Sequence, residues 1–376
     1  MKELINLVKQ IKEEQNNINV NLDKVIKKLE ELSKGSSNTT PEEVKPNNLL
    51  DKDGAYVIDD FSGDKLDTSK WGYELGWVRN GETQKYVNTN AIVKDNKLEL
   101  RAIKDTQGSW TSSSIISKHH FAVMYGKLEA RIKFCNKNGS FPAFWTLGDS
   151  FEFGYKENSS PDTIAEWWPY CGEFDIVEFY NHNFTSGIFY DYDKQDGRVY
   201  TNEFNTGDWH VFSMEWLEDG VLKFYIDNKL VSQTKPTDNR ALHIPHFILL
   251  NQALGAAGGS PDSNCDNMTT YVDWVKYYPA STKDVKLNSE DFDLVPGDFQ
   301  DNHCIIRLKF NDNCINKAVE WSSSDESVLT VKSGLVATAN RDVVGEAIIT
   351  AKSQSGVTRT IKLKANKGKV ELIKTR

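Results

Sequence analysis

Residues 172–179, Gly-Glu-Phe-Asp-Ile-Val-Glu-Phe, constrain this chain more than any other stretch. Phe, Ile and Val favour extended backbone, and no Gly or Pro interrupts the run after Gly172, so it reads as a strand. Side chains alternate along a strand, which puts Glu173 and Asp175 on one face and Phe174 and Ile176 on the other. Strict alternation would then send Glu178 to the apolar face, where an unpaired carboxylate is very costly. One extra residue in a β-bulge around Ile176 and Val177 returns Glu178 to the face of the other two acids. Three carboxylates on one face of one strand point to a site.

Clustered carboxylates repel, so at least one proton is expected to be retained at neutral pH. Retaining glycoside hydrolysis uses an ionised nucleophile opposite a protonated acid, with the carboxyl groups ~5–5.5 Å apart. About four strand steps separate Glu173 from Glu178 after the bulge, ~13 Å between Cα atoms, so the side chains must lean inward over Asp175. An acidic solvated strand or a cation site has the same spacing. The flanking residues separate these readings.

The stretch Glu-Phe-Asp-Ile-Val-Glu resembles the bulged E-x-D-x-x-E signature of glycoside hydrolase family 16, the laminarinase-like group. Trp168, Pro169, Tyr170, Cys171 and Gly172 before it are similar to that family's W-P-x-x-G approach. Further matches follow in family order: Trp71-Gly72-Tyr73-Glu74, Arg79-Asn80-Gly81-Glu82-Thr83-Gln84, Tyr125 to Lys133, Phe141-Pro142-Ala143-Phe144-Trp145, Asp208-Trp209-His210, Leu249-Leu250-Asn251, and Tyr271 to Val275. The resemblance implies a jelly-roll, concanavalin-like β-sandwich with a sugar cleft, Glu173 as nucleophile, Glu178 as acid/base, and Asp175 tuning the pair. It also implies a structural Ca²⁺ with Asp273 as its carboxylate, a residue that a local hydrogen bond would explain equally. Two positions depart from the pattern. Phe141 stands where Trp is usual, and Tyr190 falls near where laminarinases carry a His. Both bear on glucan specificity rather than on the catalytic pair.

At 376 residues the chain has room for two or three domains. Ten Trp and fourteen Tyr matter here because sugar rings stack on aromatic faces. A net charge of −9 argues against nucleic acid and anionic membranes as partners. No apolar run approaches the ~20 residues of a membrane span. The five cysteines are odd in number, scattered and without metal-ligand spacing. A hairpin turning at residues 311–313 would set Cys314 opposite Phe310 rather than Cys304, so reduced thiols are expected. The tandem His119 and His120 would point to opposite faces of a strand and not share a metal.

Residues 1–34 carry a heptad pattern: Leu4, Ile11, Ile18, Val25 and Leu32 on one seam position, and Val8, Gln15, Leu22 and Leu29 on the other. This predicts an α-helical coiled coil, hence a homo-oligomer, dimer or trimer. Residues 35–50 form a polar Ser/Thr/Pro linker. Residues 51–280 are the strand-rich, family-16-like jelly roll. Within it Leu128, Ala130, Ile132 and Phe134 alternate with Lys127, Glu129, Arg131 and Lys133 as a half-buried strand, and residues 212–226 read as a hairpin about Asp219 and Gly220. The acidic stretch 149–167 is placed near the cleft, with Trp167 and Trp168 either stacking on sugar or packing in the core. Residues 281–366 resemble a bacterial Ig-like domain of group 2, a spacer or weak adhesin without chemistry of its own. Residues 367–376 read as a basic tail of marginal order.

Together these features predict an endo-acting, retaining glycosidase that cleaves a β-linked polysaccharide, β-1,3-glucan or a related surface glycan. Asn80, Glu82, Trp145, Trp167, Trp168 and Tyr190 are the expected substrate contacts, and no cofactor is required for catalysis. Met1, Lys2 and Glu3 lead directly into the heptads, so no secretory leader is expected. Stalk, glycanase and Ig-like domain together match the plan of a phage virion appendage released by lysis, with other virion proteins as further partners. A cytoplasmic enzyme, or a secreted one whose leader is missing from this sequence, are the alternatives for location. The rival for function is a non-catalytic adhesin that holds a glycan in the same cleft.

Overall fold

The computed structural model describes residues 49–76, 81–151, 168–191, 194–201, 203–235, 239–297, 299 and 302–373. The heptad segment 1–34 and most of the linker lie outside them, as do Asn80 and Trp167.

Two large sheets form the first sandwich. The ten-stranded sheet runs, in spatial order, Lys229–Gln233, Leu222–Ile226, His210–Trp216, Gly126–Lys133, Asn267–Tyr278, Leu98–Lys104, Trp110–Ser112 and Gln84–Tyr86, with Tyr56–Asp59 and Ala91–Val93 paired at its side. The eight-stranded sheet runs Lys194–Thr201, Asn183–Asp191, Glu173–Tyr180, Ser140–Gly148, His246–Leu254, Ser114–Ile116 and Gly72–Tyr73, with Ala122–Val123 beside His246–Leu254. This is a jelly-roll sandwich. Among the described residues the helical segments are short 3-10 turns, and no helix is long and apolar enough to cross a membrane.

Aromatic side chains fill the space between the sheets. Phe134 lies 5.3 Å from Phe212, 5.9 Å from Phe184 and 6.2 Å from Phe179. Phe174 meets Trp216 edge-on at 5.0 Å. Each such ring contributes ~1.5–3 kcal/mol by leaving water, so the apolar face of Glu173–Tyr180 is fixed toward this core. The alternation expected for Gly126–Lys133 holds on its inner side, where Leu128, Ala130 and Ile132 are buried. The outer side differs at Glu129, which is buried beneath Lys127 and accepts from Ser213 Oγ at 3.0 Å. The hairpin of His210–Trp216 and Leu222–Ile226 forms in register, and Gly220 takes φ 79° in its turn.

A second sandwich follows. One four-stranded sheet contains Phe292–Gly297, His303–Phe310, Leu335–Thr338 and Leu329–Lys332, and the other contains Val319–Ser323, Val344–Ser353, Thr358–Asn366 and Val370–Leu372. Cys304, Ile306, Leu329, Val336, Ile349 and Leu363 are among the side chains closing its core. The expected tail is therefore partly structural: Val370–Leu372 pairs with Thr358–Asn366 and buries Val370.

The two sandwiches share packing. Phe292, Phe310, Cys314, Ile315, Val319 and Ala351 belong to the same buried cluster as the jelly-roll core. Asn316 joins the two sandwiches through all of its amide atoms. Its Oδ1 accepts from Ala122 N at 3.2 Å and Ala318 N at 3.0 Å, and its Nδ2 donates to His120 O at 3.0 Å and Asn288 Oδ1 at 3.1 Å. Two expectations fail at this junction. Cys314–Asn316 does not fold back on His303–Phe310 as a hairpin but pairs in parallel with Lys286–Asn288, which carries Ile315 into the shared core. His119 and His120 lie in a turn rather than a strand, with His119 at φ 66°. All five cysteines are free.

Candidate active site

The strand Glu173–Tyr180 lies between Ser140–Gly148 and Asn183–Asp191. On one side Leu147 faces Glu173, Trp145 faces Asp175, Phe144 faces Val177 and Ala143 faces Glu178, with a register slip that leaves Ile176 unopposed. On the other side Asp175 faces Gly187 and Glu178 faces Thr185, again with a slip between the two. An extra residue therefore sits at Ile176 and Val177, and both are buried, as are Phe174 and Phe179. Glu173, Asp175 and Glu178 share one crevice with Glu82, Phe141, Ala143, Trp145 and Asn251. Asp175 is only 3% exposed, and Glu178 accepts from Thr185 Oγ1 at 3.4 Å.

The entry to this strand is tightly built. Gly172 has φ 85°, and a Cβ there would lie 3.0 Å from Ala241 O and 3.1 Å from His246 Cε1. Only glycine adopts that backbone without strain. His246 lies under the strand with its ring stacked on Phe174 at 4.0 Å. A carbonyl can only accept, so the 2.9 Å contact to Ala241 O puts the imidazole proton on Nε2 and leaves Nδ1 to accept from Thr146 Oγ1 at 3.1 Å. Burial pushes its pKa down to about 3, so the ring is neutral.

A polar relay supports the crevice from the side. Trp145 Nε1 donates to Asn251 Oδ1 at 2.8 Å, and Asn251 Nδ2 donates to Tyr86 OH at 3.0 Å. Tyr86 OH in turn donates to Glu82 Oε2 at 3.3 Å, which Gln84 Nε2 also reaches at 2.6 Å. Gln84 is itself fixed, its Oε1 accepting from Leu254 N at 2.8 Å. Sequence reasoning proposed Glu82 and Trp145 but missed Asn251, whose only signal was a family-like fragment, and Tyr86, which had none.

The other expected contacts separate. Trp168 is 50% exposed and rests against Phe189 at 5.4 Å, so it is a surface ring rather than a core one. Tyr190 packs against the jelly-roll core instead of joining the acids. Its neighbour Phe189 takes the crevice side, because it stands directly opposite Glu173 and paired residues share a face. Tyr190 was placed by its family position, and alternation from Phe189 puts it on the opposite face. Phe141 lines the crevice and meets Tyr180 edge-on at 5.5 Å.

Asp273 lies on the ten-stranded sheet and pairs with Arg131 NH1 at 2.5 Å, while that guanidinium covers the Trp209 ring at 4.7 Å. Ca²⁺ takes six to eight oxygen ligands. A carboxylate already engaged by a guanidinium does not fit that demand, and among the described residues no group of three or more His, Cys, Asp or Glu side chains is placed to hold a metal.

The family model for Glycosyl hydrolases family 16 matches residues 79–276. Glucan endo-1,3-beta-glucosidase A1 of Niallia circulans is 27% identical over 269 residues, covering 58% of this chain and 37% of the relative. Keratan-sulfate endo-1,4-beta-galactosidase of Sphingobacterium multivorum is 26% identical over 243 residues, covering 58% of this chain and 54% of the relative. The chain thus spans about a third to a half of the length of these curated relatives. Among solved structures, LamAcat from Zobellia galactanivorans is 33% identical, with a TM-score of 0.50 over 58% of this chain and 95% of its own. Laminarinase from Flavobacterium sp. UMI-01 is 28% identical with the same TM-score, covering 58% of this chain and 97% of its own. Family match, fold and acid-lined crevice fall on the same residues, and the chain belongs to the glycosyl hydrolases of family 16.

Proposed function

We propose that this chain is an endo-acting, retaining β-glycan hydrolase whose substrate is a β-1,3-glucan or a related surface glycan. The observation that carries the proposal is the bulge at Ile176 and Val177, which brings Glu173, Asp175 and Glu178 into one crevice on one face. In the first step a Glu173 carboxylate oxygen bonds to the anomeric carbon as the bond to the leaving oxygen breaks, and Glu178 gives that oxygen its proton. In the second step Glu178 takes a proton from water, the water oxygen attacks the anomeric carbon, and Glu173 is released. Asp175, buried between them, biases which carboxyl holds the proton.

Glu82, Trp145, Trp168 and Phe189 contact the sugar chain, and Asn80 and Trp167 join them by sequence position. The β-1,3-glucan preference is drawn from the relatives' names, and the galactosidase among those relatives keeps a galactan within the class. No step needs a metal, and calcium at Asp273 would first have to displace Arg131. The heptads of residues 1–34 support a dimer or trimer, the second sandwich is read as Ig-like, and the three-part plan suits a virion appendage.

A reducing-end assay over a polysaccharide panel, run beside Glu173→Gln, tests the function. New reducing ends from at least one β-glucan, abolished in the variant, are expected. Binding without cleavage by wild type would instead establish the adhesin. Sedimentation of the full chain tests the stalk, and a monomer would refute it.

A further inference from the structure

We propose that the second sandwich is part of the working cleft, and that Ser333 is a positioning residue that steadies the Glu173 end of the acid strand through Asp149. Ser333 occupies the turn between Leu329–Lys332 and Leu335–Thr338 at φ 41°. The turn is held against its own sheet: Ile306 N donates to Gly334 O at 2.7 Å, and a Cβ on Gly334 would lie 2.1 Å from Ile306 O. From this fixed point Ser333 Oγ donates to Asp149 Oδ2 at 3.0 Å, across the boundary between the sandwiches.

Asp149 is the first residue beyond the strand Ser140–Gly148, two positions after Leu147, the register partner of Glu173. The residues between leave little play. Gly148 N donates to Gly172 O at 2.9 Å, and a Cβ on Gly148 would lie 1.8 Å from Cys171 O. Asp149 N donates to Pro245 O at 2.9 Å, and Lys118 Nζ donates to Asp149 O at 3.3 Å and also to Phe151 O. A displacement at Asp149 therefore passes to Gly172 and Glu173 through backbone contacts. Reaction rates respond to sub-ångström placement of the attacking group, with about 10²-fold lost for a 1 Å error. Nothing in the sequence of the second sandwich suggested such a role, because it carries no acid cluster of its own.

The catalytic part of this inference rests on the reading of Glu173 as nucleophile, so its test has two arms on the full chain. The first measures kcat and KM on laminarin for wild type, Ser333→Ala, Asp149→Ala and the double variant. About a 3–10-fold fall in kcat is expected for each single variant, with KM within about twofold and no further loss in the double. Ser333→Asn should recover most of the rate, since Asn tolerates positive φ and can donate an amide hydrogen. Ser355→Ala, which removes a bond to Ser289 O elsewhere in the second sandwich, should leave kcat unchanged. The second arm follows amide exchange of Gly148 and Asp149, which should quicken in Ser333→Ala at unchanged melting temperature. Unaltered kcat and exchange in Ser333→Ala, or an equal loss in Ser355→Ala, overturns the proposal. If wild type cleaves no polysaccharide of the panel the functional reading fails, and the exchange arm alone decides whether Ser333 steadies the strand. A variant that fails to fold is replaced by Ser333→Gly under the same criteria.

Discussion

The indole N–H of Trp145 is bonded to Asn251 at 2.8 Å, so the ring that walls the acid crevice is held edge-on by a buried amide rather than by packing alone. Asn251 also connects it to Tyr86 and hence to Glu82. Asn251→Ala takes the 2.8 Å acceptor away from the indole N–H and removes the donor to Tyr86. A net loss of ~1–3 kcal/mol per stranded group is typical. We expect kcat/KM to fall by about 10-fold or more, with a smaller fall for Tyr86→Phe, which removes the acceptor of Asn251 Nδ2 and the donor to Glu82 but keeps the Trp145–Asn251 bond. Unchanged kinetics in a folded Asn251→Ala protein would show the relay to be incidental.

Stereochemistry tests the assignment of the acids. Products should appear first as the anomer of the original linkage, followed by ¹H NMR before mutarotation. Glu178→Gln should lose about 10²–10⁴-fold in rate, most severely on substrates with poor leaving groups. Inverted product would move Glu173 from nucleophile to base.

Trp168 and Tyr190 should respond in opposite ways. Trp168 is half exposed beside Phe189, so Trp168→Ala should raise KM by the equivalent of ~1–3 kcal/mol with little change in melting temperature. Tyr190 packs on the core, so Tyr190→Ala should lower the melting temperature and spare KM. The reverse pattern would restore Tyr190 to the cleft.

His246 makes stability depend on acid. Its folded pKa of about 3 lies well below the ~6.5 of an unfolded chain, so between these values the unfolded state binds the extra proton. The contribution is complete above pH ~6.5 and is lost as pH falls toward 3, on the order of 3 kcal/mol by pH 4. Urea unfolding of wild type and His246→Gln between pH 4 and 7 should show a shallower decline in the variant. Parallel curves would mean that the ring takes up its proton without unfolding.

Asn316 makes four hydrogen bonds at the junction of the sandwiches. At ~0.5–1.5 kcal/mol each, Asn316→Ala should cost about 2–6 kcal/mol. Because the two cores are continuous there, wild type should melt residues 49–373 in one calorimetric transition. Two separated transitions, with Asn316→Ala moving neither, would mark the sandwiches as independent.

Much of the site was legible because its physics is local. A carboxylate at Glu178 cannot face an apolar core, so the bulge followed from cost alone, and alternation in Gly126–Lys133 followed from period. The Tyr190 expectation came from a family position. Thr185, Gly187 and Phe189 stand opposite Glu178, Asp175 and Glu173 in unbroken alternation, which sends Tyr190 to the other face. The Trp145–Asn251–Tyr86 relay joins residues far apart in sequence, and no local pattern encodes it. The junction was hidden for a related reason: Cys314–Asn316 pairs with Lys286–Asn288 rather than with its nearest strand, and Ile315 finds its burial in the other sandwich.

The extra residue at Ile176 and Val177 makes the acid strand a matter of parity. Many substitutions there keep the count and so keep each side chain on its own side of the sheet. Deleting Val177 alone would change no chemistry in the three acids, yet it would turn Glu178 inward and Phe179 outward. Such a deletion should therefore inactivate and destabilise together, whereas changing Val177 to Ile or Leu should do neither. The length of this strand, counted in single residues, constrains the site more tightly than most of its letters do.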